Sequence, residues 1–347
     1  LLPVLLLAGC ALDEPTFSDV EQFAKKQPGD CPTYGCGTNS PELDGHVAVE
    51  IHELGAVTPD DLRLVDFGRM EGTTWTSYRP DVLYGQLYAR HKQTNAVILK
   101  DAQLAGTKFI IEHARTAERF VITVVRVEET PMWAQAPYAG RYSRSYELAY
   151  TSDLDPKRRN VCARPLGADP MGADMAVLFD ADRISRDDLA VYAEEKDYFT
   201  IGCAGSALAK MHLTGHTKAG SSIIGRTSTL DERTAFLKML SADYCGTGES
   251  YTVAGTRLHY RDRYGYMDTA QVGEVIEAMW GPRGAICTNT PRVEFSPSIA
   301  SDKVFGADIQ QELADFGCVL PRPCDPKTFE GLKHPYDVAY VMSTNHY

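Results

Sequence analysis

Between residues 45 and 150 apolar and polar positions alternate with the period of two that a half-buried strand imposes. Val47, Val49 and Ile51 interleave with Ala48, Glu50 and His52. Short apolar runs follow at residues 96–100, 109–113 and 120–127, the last two separated by a polar turn, and residues 146–150 alternate again. Strands of this length, punctuated by Gly, Asn and Asp, predict an all-β domain over residues 45–155, a small sandwich or barrel. The character changes near Pro156-Lys157-Arg158-Arg159. Residues 204–211 are rich in helix formers, and Thr229-Leu230-Asp231-Glu232 is a capping box followed by Ala235, Phe236, Met239 and Leu240 on one helical face. A third short helix is expected at 273–280, with flanking strands at 175–179 and 251–260. The fold class is therefore α+β: a β domain, then an α+β domain over residues 156–325, then a tail at 326–347.

The chain opens Leu1-Leu2-Pro3-Val4-Leu5-Leu6-Leu7-Ala8-Gly9-Cys10. A bilayer-spanning helix needs about 20 apolar residues, so this run is too short to be one. It reads as the apolar core and cleavage site of a secretory signal over residues 1–10. Leu7-Ala8-Gly9-Cys10 resembles a bacterial lipobox, in which the cysteine thiol receives a diacylglycerol and becomes the new N-terminus. Neither an initiating Met nor a basic stretch precedes Leu1, so the signal is expected to begin upstream. Residues 11–44, interrupted by Pro15, Pro28, Gly29 and Pro41 and poor in apolar side chains, predict a tether between lipid and fold. The expected address is the cell envelope, with the membrane met through lipidated Cys10. Ala11 stands where an inner-membrane retention signal would have Asp, which points to the outer membrane.

With 347 residues, 44% of them hydrophobic, the chain is long enough for two ordinary domains. A net charge of −12 with no basic cluster to offset it argues against nucleic acid as a partner. Of nine cysteines, Cys10 is assigned to the lipid, which leaves Cys31, Cys36, Cys162, Cys203, Cys245, Cys287, Cys318 and Cys324. An even number sent to an oxidising compartment predicts disulfides, although eight cysteines allow 105 connectivities. Cys31–Cys36 and Cys318–Cys324 enclose Pro and Gly turns and are expected to pair locally. No C-x-x-C is matched by a second such pair, so no zinc site is expected.

Ala242-Asp243-Tyr244-Cys245, followed by Gly246-Thr247-Gly248, resembles the signature of the ADYC-domain family of exported bacterial proteins. Cys203-Ala204-Gly205-Ser206-Ala207-Leu208-Ala209-Lys210 is similar to the family's upstream helix. Tyr251-Thr252 with Gly255, Glu277-Ala278-Met279-Trp280, Gly284-Ala285-Ile286-Cys287 and Cys36-Gly37-Thr38-Asn39-Ser40-Pro41 are similar to further family elements. The likeness runs over most of residues 31–325 and is densest at 200–290. Relatives often carry cysteines where this chain has Met211 and Phe236. Taken as a disulfide lost as a unit, that departure implies two antiparallel helices with Cys203 beside Cys245, hence a Cys203–Cys245 bond, with Cys162–Cys287 left over. The resemblance implies a fold and an address rather than a reaction.

Candidate chemistry centres on Cys245. With His212 or His216 as base it would form the core of a cysteine-dependent hydrolase or acyltransferase. Against this, a helix C-terminus raises a thiol pKa, and a disulfide partner is at hand. His212 and His216 have the spacing of helical metal ligands, but Gly215 interrupts the helix and no Glu follows His212. Asp262 and Asp268 around Gly265 lack the alternation of a calcium loop, so a tyrosine-flanked hairpin is expected there. Asp243 is expected to accept N–H groups of the 246–248 turn, and Trp280 to anchor a core. No metal and no cofactor is predicted. Eighteen tyrosines suit a binding face. The expectation is a non-enzymatic, lipid-anchored module that binds an envelope protein or glycan or has a structural role, with the Cys245 enzyme as the alternative.

Overall fold

The computed structural model describes residues 41–134, 139–162, 174–185, 187–248, 250, 259–262, 275–289, 291, 317–324 and 341–345. Three short strands come first: β1 (Glu42–Leu43), β2 (His46–Val47) and β3 (Glu50–His52). Two antiparallel runs follow, β4 (Leu62–Glu71), β5 (Thr74–Leu83), β6 (Gln86–Arg90) and β7 (Val97–Lys100), then β8 (Lys108–His113), β9 (Arg119–Pro131) and β10 (Tyr142–Ser152), with β8 returning to pair with β4. Next are β11 (Arg159–Asn160), β12 (Met175–Ser185) and β13 (Ala190–Cys203). Three helices, α1 (Ala207–Leu213), α2 (Lys218–Ile224) and α3 (Leu230–Ser241), precede β14 (His259–Asp262), β15 (Val275–Gly281), β16 (Gly284–Thr288) and β17 (Val341–Asn345). The fold is α+β.

One 11-stranded antiparallel sheet runs in the order β3-β13-β12-β10-β9-β8-β4-β5-β6-β7, with β11 paired to β10. The sheet curls until β5 meets β12 and β13 and β3 meets β4. The inward positions of this shell form a first core, among them Phe67, Phe109, Ile111, Phe120, Ile122, Tyr146, Leu148 and Phe199. Phe109, Ile111, Phe120, Ile122, Tyr146 and Leu148 belong to the apolar runs and alternation read from the sequence, whereas Phe67 and Phe199 lie outside them. Along β8 the buried Phe109, Ile111 and His113 alternate with the half-buried Lys108, Ile110 and Glu112.

A second core lies on the other face of β12. It gathers the three helices, Tyr244, Ala278 and Trp280. Along β12, Ala176 and Leu178 enter the first core, while Met175, Val177 and Phe179 enter the second. That two-sided burial is why residues 175–179 read as a continuous apolar run rather than an alternating one. The division expected at residue 155 therefore does not fall at a break in the sheet: β10, β12 and β13 are consecutive neighbours in it.

The helices follow local rules. Ser206, Thr217 and Thr229 cap α1, α2 and α3 through their hydroxyls, and Glu232 completes the capping box on the Thr229 N–H. Met211 and Phe236 are both fully buried in the second core, where α1 packs on α3. The helix expected at 273–280 is instead β15. Gly281-Pro282-Arg283-Gly284 turns the chain back, so Met279 pairs with Cys287 and Ala278 with Thr288. A paired partner and burial of Ala278 and Trp280 outweigh the helix propensity of Glu-Ala-Met. The strand expected at 251–260 is described from His259 onward.

Candidate functional site

The segment 242–248 closes α3, and each member has a defined physical task. Ala242 is the helix C-cap in the left-handed region, at φ +55°, with its methyl group buried in the second core. Asp243 is fully buried. Its carboxyl accepts the N–H of Thr247 at 3.0 Å and of Gly248 at 2.9 Å, and meets Lys238 Nζ at 2.5 Å. Lys238 also donates to the Asp188 carbonyl, which ties the corner to the β12–β13 connection. Tyr244 packs against Trp280 with ring centroids 4.9 Å apart, and its hydroxyl donates to Glu277 at 2.6 Å. The Tyr244 carbonyl accepts the N–H of Ala285 at 2.8 Å. This approach of the β15–β16 hairpin requires glycine at 284, where φ is +101° and a Cβ would lie 2.6 Å from the Tyr244 carbonyl oxygen.

Cys245 is bonded to Cys318, across 73 residues. Cys287 is bonded to Cys324 and Cys162 to Cys203. The pairings expected as Cys203–Cys245, Cys162–Cys287 and Cys318–Cys324 are thus corrected. The reason lies in strand geometry. Successive side chains point to opposite faces. Cys203, with Phe199 and Ile201, faces the first core beside Cys162, whereas Cys245 packs against the second. The inference from Met211 and Phe236 placed the two helices together correctly but not the face from which Cys203 leaves. Cys318 and Cys324 do not close on each other; the strap between them, with Pro321 and Pro323, reaches Cys245 at one end and Cys287 at the other. Cys10, Cys31 and Cys36 lie outside the described residues.

His212 and His216 are both buried, and neither faces Cys245 as a base. His212 Nε2 lies 2.7 Å from Ser143 Oγ, its Nδ1 lies 2.9 Å from Thr217 Oγ1, and its ring stacks on Phe179. Burial pushes its pKa down to about 3, so the ring is neutral at physiological pH. Gly85, at the β5–β6 turn, packs on this pair; a Cβ there would sit 3.0 Å from the imidazole and from Ser143 Oγ. The turn is held by carboxyls: Asp180 accepts the Gly85 N–H at 3.2 Å and Glu53 accepts the Val82 N–H at 2.6 Å. His216 lies 3.2 Å from Asp262 and stacks on Phe236 at 3.7 Å between centroids. Burial lowers its pKa, and Asp262 partly opposes the shift. Among the described residues no three His, Cys, Asp or Glu side chains are arranged to hold a metal ion. Asp268 and Gly265 lie outside the described residues.

Sequence reasoning missed the partners of these histidines. Ser143 is 69 residues from His212 in the chain. It also missed the buried Arg233–Asp182 pair at 2.6 Å, which links α3 to β12. No local spacing signals either, because both are made by the antiparallel register of the sheet against the helices.

The geometry defines a disulfide-stapled α+β module in which a motif of reactive appearance serves as a structural corner. A family model for the ADYC domain matches residues 101–294, more than half of the chain, and the chain belongs to that family. The match begins between β7 and β8 and extends through α3 and β16, so the family unit includes strands of both cores. No curated protein and no solved structure matches the chain.

Proposed function

We propose that the chain is a lipid-anchored protein of the bacterial cell envelope whose ADYC-domain body acts without catalysis, as a binding or structural module. One observation carries the non-catalytic part. Asp243, Tyr244 and Cys245, the side chains of the motif able to do chemistry, are each already engaged: with Lys238 and two N–H groups, with Glu277, and with Cys318. A thiol in a disulfide is not a nucleophile, and His212 and His216 have other partners. The three disulfides of the described residues suit an oxidising compartment, and Leu7-Ala8-Gly9-Cys10 supplies the export and anchoring signal. The ligand class favoured is an envelope protein or glycan. Outer-membrane sorting rests on Ala11.

Two measurements test this reading. Non-reducing peptide mapping of exported protein is expected to return a Cys245–Cys318 peptide; a free Cys245 that alkylates rapidly at neutral pH would return the cysteine-enzyme alternative. Metabolic labelling with an alkyne fatty acid is expected to mark the protein and to be lost in Cys10→Ala. Label that persists in the variant, or never appears, removes the anchor.

A further inference from the structure

The described body begins at one end of the curled sheet. There the Glu42 N–H bonds the Val161 carbonyl at 3.0 Å. Asp44, in the β1–β2 turn, accepts the Ser152 hydroxyl at 2.8 Å and the Tyr150 hydroxyl at 3.0 Å and pairs with Arg159. The loop from β10 to β11 therefore lies against the point at which the N-terminal arm enters the fold.

That loop has an unusual surface for a chain of net charge −12. Leu154 is 78% exposed, more than any other large apolar side chain of the described residues except Val319. Lys157 and Arg158 are exposed and have no carboxyl partner among the described residues. The carboxyls around them are engaged elsewhere: Asp44 and Asp155 hold Arg159, and Asp153 accepts the Arg119 N–H at 3.2 Å. Glu42 is a further exposed carboxyl of this end, and the half-buried Glu118 lies 3.6 Å from His46 of β2. The loop is also built rather than loose. Ser152 and Asp155 bond each other's N–H groups at 3.0 Å, and Asp155 accepts the Lys157 N–H at 2.9 Å. A fixed turn thus presents one aliphatic side chain beside two unpaired cations.

We infer that the loop 153–158 is a membrane contact that seats the body on an anionic phospholipid surface, with Leu154 entering the headgroup layer and Lys157 and Arg158 meeting lipid phosphates. The inference rests on the anchored-lipoprotein reading, because a chain held by Cys10 keeps its entry end within a tether's reach of the bilayer. A basic side chain near an anionic surface adds about fivefold to partitioning, and a buried aliphatic one adds more, independent of salt.

The test uses the chain from residue 10 onward with Cys10→Ser, so that neither an acyl chain nor the apolar run Leu1–Leu7 contributes, in flotation with phosphatidylcholine vesicles with or without 30% phosphatidylglycerol. The expected result is binding to the anionic vesicles that declines as salt rises. K157Q/R158Q should weaken it roughly 25-fold, and Leu154→Ser roughly tenfold without changing the salt slope. Equal partitioning to both vesicle types, or an unchanged double variant, overturns the inference. Because the anchor is absent from this assay, such a failure leaves the lipoprotein reading standing. A fatty-acid label that never appears, or that persists in Cys10→Ala, conversely leaves the vesicle result standing.

Discussion

The Tyr244 hydroxyl donates to Glu277 Oε1 at 2.6 Å, and both side chains are buried within the second core. This bond links the end of α3 to β15 and fixes the ring of Tyr244 against Trp280. Tyr244→Phe keeps the ring and removes the donor, leaving a buried acceptor without it. The expected loss is about 1–3 kcal/mol by urea unfolding, with the β15 amides exchanging faster. An unchanged midpoint would show that the bond contributes nothing net.

Lys238 and Asp243 form a buried pair at 2.5 Å. Lys238→Met strands the Asp243 carboxyl and should cost about 3–5 kcal/mol. The K238M/D243N double variant should lose less than the sum of the single losses, with a coupling of about 1–3 kcal/mol in a double-mutant cycle. Additive losses would mean that the two side chains act independently.

The Cys245–Cys318 bond closes a loop of 73 residues. On the chain-entropy model its removal in C245A/C318A costs about 4 kcal/mol. The single variant Cys245→Ala should in addition leave a free Cys318 thiol, buried in the second core and detected by alkylation after unfolding. Thermal unfolding of the double variant at the wild-type temperature would contradict the assignment of this bond as a principal staple.

Glu53 provides a pH signature. Burial raises its pKa to about 8, while it accepts the Val82 N–H. A carboxyl raised on folding stabilises fully below its unfolded value, and the contribution is lost as pH rises through the folded one. Asp182, raised by burial to about 6, completes its transition earlier. The buried histidines, whose folded pKa values lie below 6.5, act in the opposite sense and only below that value. Between pH 6.5 and 8 Glu53 therefore lowers stability as pH rises, in the same sense as Glu50 and Asp180, whose carboxyls burial also raises. Stability should fall by about 2 kcal/mol over this window, at about 1.4 kcal/mol per pH unit. Glu53→Gln keeps an acceptor for Val82 and should flatten the profile; an unaltered slope would assign the titration to another group.

What the sequence discloses divides along physical lines. Period-two burial exposes strands such as β8 and β10, and the Thr229–Glu232 capping box exposes α3, because each is a pattern among near neighbours. The apolar run at 175–179 is legible as a strand, and its two-sided burial is implicit in having no polar face. Local reading fails where the outcome depends on which face of a strand a residue occupies. Cys203 points toward Cys162 because it shares a face with Phe199 and Ile201, which no spacing reveals. It fails again at 273–280, where a hairpin partner outweighs intrinsic propensity, and at Ser143–His212, which the register alone brings together.

A strand that contributes alternate side chains to two cores also sets what can be separated. Cut at residue 155, the first half would lose Ala176, Leu178, Phe199 and Ile201 from its shell, and the second would retain strands whose other face has no cover. Neither half is a portable part. Fusion, truncation or domain exchange must treat both cores as one cooperative object, and calorimetry of the intact protein should trace a single melting event rather than two.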